Sequence, residues 1–423
     1  MRVSATRARG AAHGGSRLVP TWSLTPGAIP AGMVFARSST ATQMSASGVI
    51  EAVAAGVMRS ADCRDSYGSA TARPGILIEP GAANLLTNTT SLATGIGGAN
   101  KGITTSVVGT GVEMGVSYVD VRFSGTPTGT DMSADGAIAG GRVACSASTA
   151  YTLSWYYRIL TPADSALQAY LYLCAETSAQ SYLALKATDA GGAQQFVAGL
   201  TANRKSATWT TPANAGILRV ALALAGMTAG TPIDVVVRFG AVQLEAGSVP
   251  TSYIPTSGAA ATRAGDYLSA PTTSIPGFRS DAGVLVVEVA VSAVGKTNAW
   301  PGLFALRNSA NAAKLGAFFN DPGDDRVQAT SRNATNSANA YGSTGAWAPF
   351  VARVPRQFVV GYDATGLIAA QGRVLAGRAS RPDAAVYDQL VVGDYDVLLG
   401  GTIYRLDYYP RAASDAQLAL LTA

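Results

Sequence analysis

Histidine is almost missing from this 423-residue chain: His13 is the single one, set in the glycine-flanked stretch Ala11-Ala-His13-Gly-Gly15. Ser-His-Asp or Cys-His catalysis, histidine-held zinc and imidazole general-base chemistry all need a fixed ring, and nothing local fixes this one. Glutamate is nearly as scarce, with six in all: Glu51, Glu79, Glu113, Glu176, Glu245 and Glu288. A glycosidase needs two carboxyls held across a cleft, one with a raised pKa, and no paired array of that kind appears. The expectation is therefore a chain that is not an enzyme and uses no cofactor. Cysteine is limited to Cys63, Cys145 and Cys174, an odd set without metal-ligand spacing, which excludes a disulfide framework and a thiolate zinc site. Cys174 ends the strand-like run Tyr170-Leu-Tyr-Leu-Cys174 and reads as a buried free thiol.

Charge is thin as well. Asp, Glu, Lys and Arg make up 13% of the chain, about half of the usual ~25%. The net charge of +5 is carried by scattered basic residues, and only Arg204-Lys205 are adjacent; without a basic, aromatic-interleaved stripe no nucleic-acid partner is expected. No apolar run approaches the ~18 residues of a membrane span, so no membrane insertion is expected. Met1 to Arg17 carries Arg2, Arg7, Arg9 and Arg17 without an apolar core and is not a signal peptide. Hydrophobic residues still reach 48%, which excludes disorder as a description of the whole.

What is present is alternation. In Tyr151-Thr-Leu153-Ser-Trp155-Tyr-Tyr157-Arg-Ile159 the odd positions are all large and apolar, as a half-buried strand requires. Leu285, Val287, Val289 and Val291 repeat the pattern with Glu288 on the opposite face. Ile233–Phe239, Gln357–Tyr362 and Thr402–Tyr409 also read as strands, with turn clusters between them. Ala290-Val-Ser-Ala-Val-Gly295-Lys296-Thr297 approaches a phosphate loop, but Pro301 and Gly302 stop the helix such a loop must open; it reads as a turn. Met44 to Met58 reads as extended, since Gly48 and Gly56 interrupt its apolar run. Ser414-Asp-Ala-Gln417 is a capping box for a short terminal helix. The fold class expected is all-β: an extended arm over residues 1–84, a first antiparallel sandwich over 85–255, a linker over 256–279 and a second sandwich over 280–423. The arm, with exposed-looking Trp22, Leu24 and Met33, cannot bury enough surface alone and should order on a neighbour.

Three stretches carry a resemblance. Phe35-Ala-Arg-Ser-Ser-Thr-Ala-Thr42 with Gly48-Val-Ile and Arg73-Pro-Gly-Ile-Leu-Ile-Glu79-Pro-Gly-Ala-Ala-Asn-Leu-Leu86 resembles a segment of tail-fibre and minor structural proteins of tailed bacteriophages. Val242-Gln-Leu-Glu245 to Tyr253-Ile-Pro255-Thr, ending in Ala261-Thr-Arg263, resembles the close of their carbohydrate-module-like jelly roll. Tyr404-Arg-Leu-Asp-Tyr-Tyr-Pro410-Arg, followed by Ser414-Asp-Ala-Gln417, resembles the end of their concanavalin A/laminin-G-like domain. The resemblance implies a virion component, made in the host cytoplasm, that attaches to other virion proteins through its N-terminal arm, assembles with sister chains as a trimer and contacts host-surface glycan. A head fibre or capsid decoration protein and a glycan depolymerase are the alternatives it leaves. Within the strand Thr402–Tyr409, Tyr404, Leu406 and Tyr408 are expected inward and Arg405 and Asp407 outward. Glu79 and Glu245 fall in these stretches as structural carboxylates.

Sugar faces stack on exposed rings, so the candidate glycan contacts are Trp209, Trp300, Tyr341 and Trp347, which stand among Ser, Thr, Asn, Gly and Pro in loop-like surroundings. The tract Arg332 to Trp347, rich in amides and hydroxyls, places host contact on the C-terminal half, the part farthest from an N-terminal anchor. Asp321, Asp324 and Asp325 form an acidic turn with the chemistry to hold calcium but without an ordered ligand loop; a plain surface turn is the competing reading.

Overall fold

The computed structural model describes residues 18–59, 73–133, 138, 141–160, 167–188, 200, 204–291, 301–310, 313–320, 326–333, 337–340, 347, 351, 354–381, 386–394 and 398–422. Nearly every element among them is an antiparallel strand, and these form two sandwiches, as the alternation requires.

In the first sandwich a six-stranded sheet runs Arg204–Thr210, Ala150–Ile159, Ile233–Ala246, Val116–Gly125, Ile103–Glu113, Gly98–Asn100. It faces a five-stranded sheet built on Ile217–Ala225 and Gln168–Glu176, with Tyr182–Ala187 at one edge and Asp131–Ser133 and Arg142–Ala144 along the other. Tyr151, Leu153, Trp155, Tyr157 and Ile159 all enter the core between them, where Trp155 stacks on Tyr157 at 4.6 Å. Cys174 is a buried free thiol.

In the second sandwich Gly283–Val291 lies between Gly401–Tyr409 and Arg356–Asp363, followed by Gly366–Gln371 and Val374–Leu375. The facing sheet runs Val34–Ala36, Tyr267–Pro271, Gln389–Val392, Gly302–Arg307, Lys314–Asn320, Arg326–Arg332, Ser337–Ala340. Leu285, Val287, Val289 and Val291 fill the core. Ser414 caps the helix Asp415–Leu420 in a capping box with Gln417, and Leu418 seats it on the sheet's other face against Val284, Val286, Val359 and Tyr409.

Three local expectations are corrected. The described part of the arm does not stand apart. Trp22–Leu24 and Ile76–Ile78 both pair with Gly401–Tyr409, and Val34–Ala36 pairs with Tyr267–Pro271. Trp22 and Leu24 are buried in the second core; strands of three residues are too short to show alternation, so they read as irregular. The linker is likewise part of the fold, because Tyr267–Pro271 is an internal strand and Ala261–Arg263 pairs with Ala82–Asn84. Finally, a bulge opposite Glu288 and Val289 shifts the register, so that Ile403 takes the inward place with Leu406 and Tyr408. Tyr404 instead lies under the Arg73 guanidinium, 4.8 Å from its ring centroid. Met44–Met58 is extended as read: Ala41–Met44 and Ile50–Val53 form a hairpin.

Arm, linker and sandwiches meet in one buried ionic cluster. Arg37 Nη1 donates to Asp266 Oδ1 at 2.9 Å, Arg59 donates to Glu79 Oε2 at 2.6 Å and to the second Asp266 oxygen, and Arg263 lies 3.4 Å from Glu79. Each of these side chains is at most 1% exposed. Glu79 also accepts from the backbone and hydroxyl of Ser252, at 2.8 and 2.6 Å. Three cations face two anions here, and the surplus positive charge rests on backbone carbonyls: those of Ala54 and Val57 for Arg37, Thr42 for Arg59, Pro80 and Ala264 for Arg263. Burial alone would raise the Glu79 carboxyl, but Arg59, Arg263 and Ser252 outweigh it and hold it well below the carboxylate range.

Breaking a buried pair by removing one partner costs about 3–5 kcal/mol, so Glu79→Gln should lower chemical-denaturation stability by that amount. A depressed folded pKa means stability that is present above the unfolded carboxyl value of about 4.3 and is lost as pH falls below it. The melting temperature should therefore fall as the medium is acidified from about pH 5 to pH 3, and less steeply in Glu79→Gln than in the parent. Equal slopes would remove Glu79 from the acid response.

Candidate functional site

Of the four aromatics expected to stack on sugar, the two that are described do not stand in exposed loops. Trp347 is 2% exposed in the core of the second sandwich, edge-on to Phe358 at 5.2 Å, with its Nε1 donating to the Val374 carbonyl at 2.9 Å. Its polar sequence neighbours disguised a core position. Trp209 lies not in a loop but in the edge strand Arg204–Thr210, opposite Tyr151, half-buried against the first core. Trp300 and Tyr341 lie outside the described residues, as do Asp321, Asp324 and Asp325, Gly295–Thr297 and Cys63. Among the described residues no group of three or more His, Cys, Asp or Glu could hold a metal ion. Among the described residues no helix is long and apolar enough to cross a membrane.

Of the four sheet faces directed away from the two cores, three are engaged by the protein's own groups. The terminal helix covers one face of the second sandwich. On the other, Arg307 donates to Gln389 at 3.0 Å and to the Tyr267 hydroxyl, and Lys314 is buried beside them at 1% exposure. The six-stranded sheet of the first sandwich is laid with ion pairs. Arg238 spans both oxygens of Asp120 at 2.8 Å, reaches Glu113 at 2.7 Å and sits 3.6 Å over the Tyr118 ring. Gly109 and Gly111 admit those side chains, since a Cβ there would come within 2.9 Å of the Asp120 carboxylate and 2.8 Å of the Tyr118 hydroxyl.

The face of the five-stranded sheet is buried over most of its length, with Tyr170, Cys174, Ala221 and Ala223 each at most 6% exposed, and opens at one end. Strand period places Tyr170, Tyr172, Cys174 and Glu176 along one side of Gln168–Glu176. Across from them on Ile217–Ala225 stand Ala223, Ala221, Arg219 and Ile217 in register. Tyr170 and Tyr172 meet edge to face at 4.8 Å with their hydroxyls 2.7 Å apart. At the other end Glu176 accepts from Arg142 Nε at 2.6 Å and Arg219 Nε at 2.9 Å. Burial alone would raise the Glu176 carboxyl; the bonds from Arg142 and Arg219 prevail and hold it below its ordinary value. Opposite Glu176 stands Tyr182, 61% exposed, with Leu185, 46% exposed, on the same edge strand. Arg142 itself is 41% exposed. An exposed ring and a charged corner are thus gathered at that open end. Sequence reading reached Tyr170 and Tyr172 but not Arg142, Arg219 or Tyr182; their one shared signal is the strand register.

No protein family and no curated protein matches the chain. Solved structures do. Domain 4 of a GH43 extracellular arabinanase from Geobacillus stearothermophilus, in complex with arabinotriose, is 13% identical, with 38% of this chain and 73% of that one covered and a TM-score of 0.29. The CBM40 module of the Ruminococcus gnavus IT-sialidase bound to α2,3 sialyllactose is 15% identical over 34% of this chain and 83% of that one, TM-score 0.22. Trypanosoma rangeli sialidase in complex with sialic acid is 9% identical over 80% of this chain and 55% of that one, TM-score 0.30. Such likenesses concern the sandwich fold alone and carry no argument about activity. The expectation that the chain is not an enzyme is nevertheless corrected: with sialidases among its fold neighbours, the residues it lacks do not exclude a glycosidase-like fold. The physical reason is that missing histidines and scarce glutamates do not bear on sialidase chemistry with a tyrosine nucleophile.

The placement of Trp347 gives a direct check. Trp347→Ala should destabilise the chain by about 3–5 kcal/mol, the cost of a large aromatic removed from a packed core, measured by denaturant unfolding. A loss under about 1 kcal/mol, the usual size for surface substitutions, would return Trp347 to the surface.

Proposed function

We propose that this chain is a structural and adhesive component of a tailed-phage particle, a tail fibre or receptor-binding protein, that contacts host-surface glycan. The observation that carries the reading is the convergence of its phage-like stretches. Arg37 and Glu79 come from the first, Ser252 and Arg263 from the second, and these meet in the buried cluster with Arg59 and Asp266. Residues that share no chemistry along the sequence are thereby explained as one joint, which suits a protein that must transmit load between modules. Glycan contact belongs to one end of the five-stranded face of the first sandwich, where Tyr182 and Arg142 are exposed side by side with Arg219.

Antibodies against the chain should label intact particles and reduce their adsorption, and the label's position separates a tail fibre from a head decoration protein. Pre-incubating host cells with the purified chain should also reduce adsorption, and periodate oxidation of the cell surface should abolish binding of the chain. Unlabelled particles, or binding that survives periodate, would overturn the reading. Reducing ends released in the same incubation would identify a depolymerase.

A further inference from the structure

We infer that the five-stranded face is selective for an anionic saccharide, a chain of sugars bearing carboxylates, with Arg142 and Arg219 as the acid-recognising corner. The inference rests on the glycan-contact reading above and adds the ligand class to it.

Charge on this face is the first ground. Among the described residues, Arg142, Arg219 and Lys101 stand against Glu176 and Asp131, three cations to two anions, with Lys101 and Asp131 paired at 2.8 Å near the far end. Glu176 is shared between two guanidiniums, so the corner keeps an uncompensated positive charge. Its side chain is 4% exposed, whereas those of Arg142 and Arg219 are 41% and 18% exposed. The cations therefore face solvent while their anion lies beneath them. Glu176 anchors both through their Nε atoms, which fixes the planar forks before any ligand arrives. A guanidinium held in that way is suited to a carboxylate, which it meets with paired N–H donors.

Geometry supplies the rest. The Tyr182 ring, opposite Glu176, offers an apolar face on which a pyranose stacks beside the charged corner. Farther up the strand Cys174 and Tyr170, with Ala221 and Ala223 beside them, are at most 6% exposed, so sugar contact is confined to this corner. A neutral glycan would meet Tyr182 but leave the arginines without an anion.

The test is calorimetric titration of the full chain with trigalacturonic acid and with its methyl ester, which removes the charge and keeps the sugar. In low salt the acid should bind at least about tenfold more tightly than the ester, a gap of one decade in Kd, and the gap should shrink as salt screens it. Arg142→Gln should remove the gap, and Tyr182→Ala should weaken acid and ester alike, each with a melting temperature near the parent's. Equal binding of acid and ester, or a gap that survives Arg142→Gln, overturns the anionic class while leaving glycan contact intact. If neither ligand binds and the chain also fails to bind periodate-sensitive host surface, the glycan reading falls with it.

Discussion

Everything else in this molecule depends on burying Arg59 between Glu79 and Asp266. Those two carboxylates are 187 residues apart in the chain, and the backbone joins them as well: Glu79 N–H donates to Asp266 at 3.0 Å, and Asp266 N–H to the Glu79 carbonyl at 2.9 Å. Taking five charges out of water is expensive, and an apolar cluster of the same volume would often be as stable. What the charges add is discrimination. A packing error that leaves one of them unpaired costs several kcal/mol, so only one arrangement of arm, linker and sandwiches satisfies all three arginines together. The carbonyls of Ala54, Val57, Thr42, Pro80 and Ala264 extend that demand to the backbone path around the cluster.

The cluster also explains why so lightly charged a chain holds a fixed joint. Tyr253, Met44, Ile50, Val116 and Tyr156 form only a small apolar cluster where the N-terminal hairpin rests on the first sandwich, too little to align two sandwiches alone. Hydrogen bonds fill the difference. Asn84 donates to the carbonyls of Val242 and Ile254 at 3.2 and 2.9 Å and accepts from Leu244 at 3.1 Å, tying the segment that leaves the first sandwich to the strand that enters it. Thr89, Tyr253 and Thr256 close a second buried set of hydroxyl bonds nearby.

How much of this could be read from sequence follows from the range of the forces involved. Tyr151 to Ile159 and Leu285 to Val291 announced themselves because burial on one side of a sheet imposes a period of two on consecutive residues. The Ser414 capping box was legible because both its partners lie within four residues. Arg59 was not, since its partners are 20, 193 and 207 residues away and an arginine among small residues looks like surface. Trp347 misled in the opposite direction: its neighbours are polar, but a single indole can reach the core from a loop. Tyr404 was misplaced by one bulge, which reverses the face of the residues on its N-terminal side while Leu406 and Tyr408 keep theirs. At the five-stranded face, Arg142, Glu176, Tyr182 and Arg219 come from four strands and share a surface only through register.

The course of the N-terminal segment changes where such a protein meets its surroundings. An anchor at the N-terminus seemed to set residues 280–423 farthest from the particle, on the assumption that chain order is spatial order. Trp22 pairs with Tyr408, and Val34 to Ala36 extend the opposite sheet of the same sandwich. The first described residues are therefore built into the second sandwich, beside its last strand. If the attachment proposed above runs through the N-terminal arm, the second sandwich is the part that stands next to it. Among the described residues of the arm, the first sandwich receives the Ala41–Val53 hairpin and the hydrogen bonds of Asn84, and on that proposal it is the part less committed to anchoring. On the glycan-contact proposal, the end of its five-stranded face where Tyr182 and Arg142 turn to solvent is then the surface that both topology and chemistry favour.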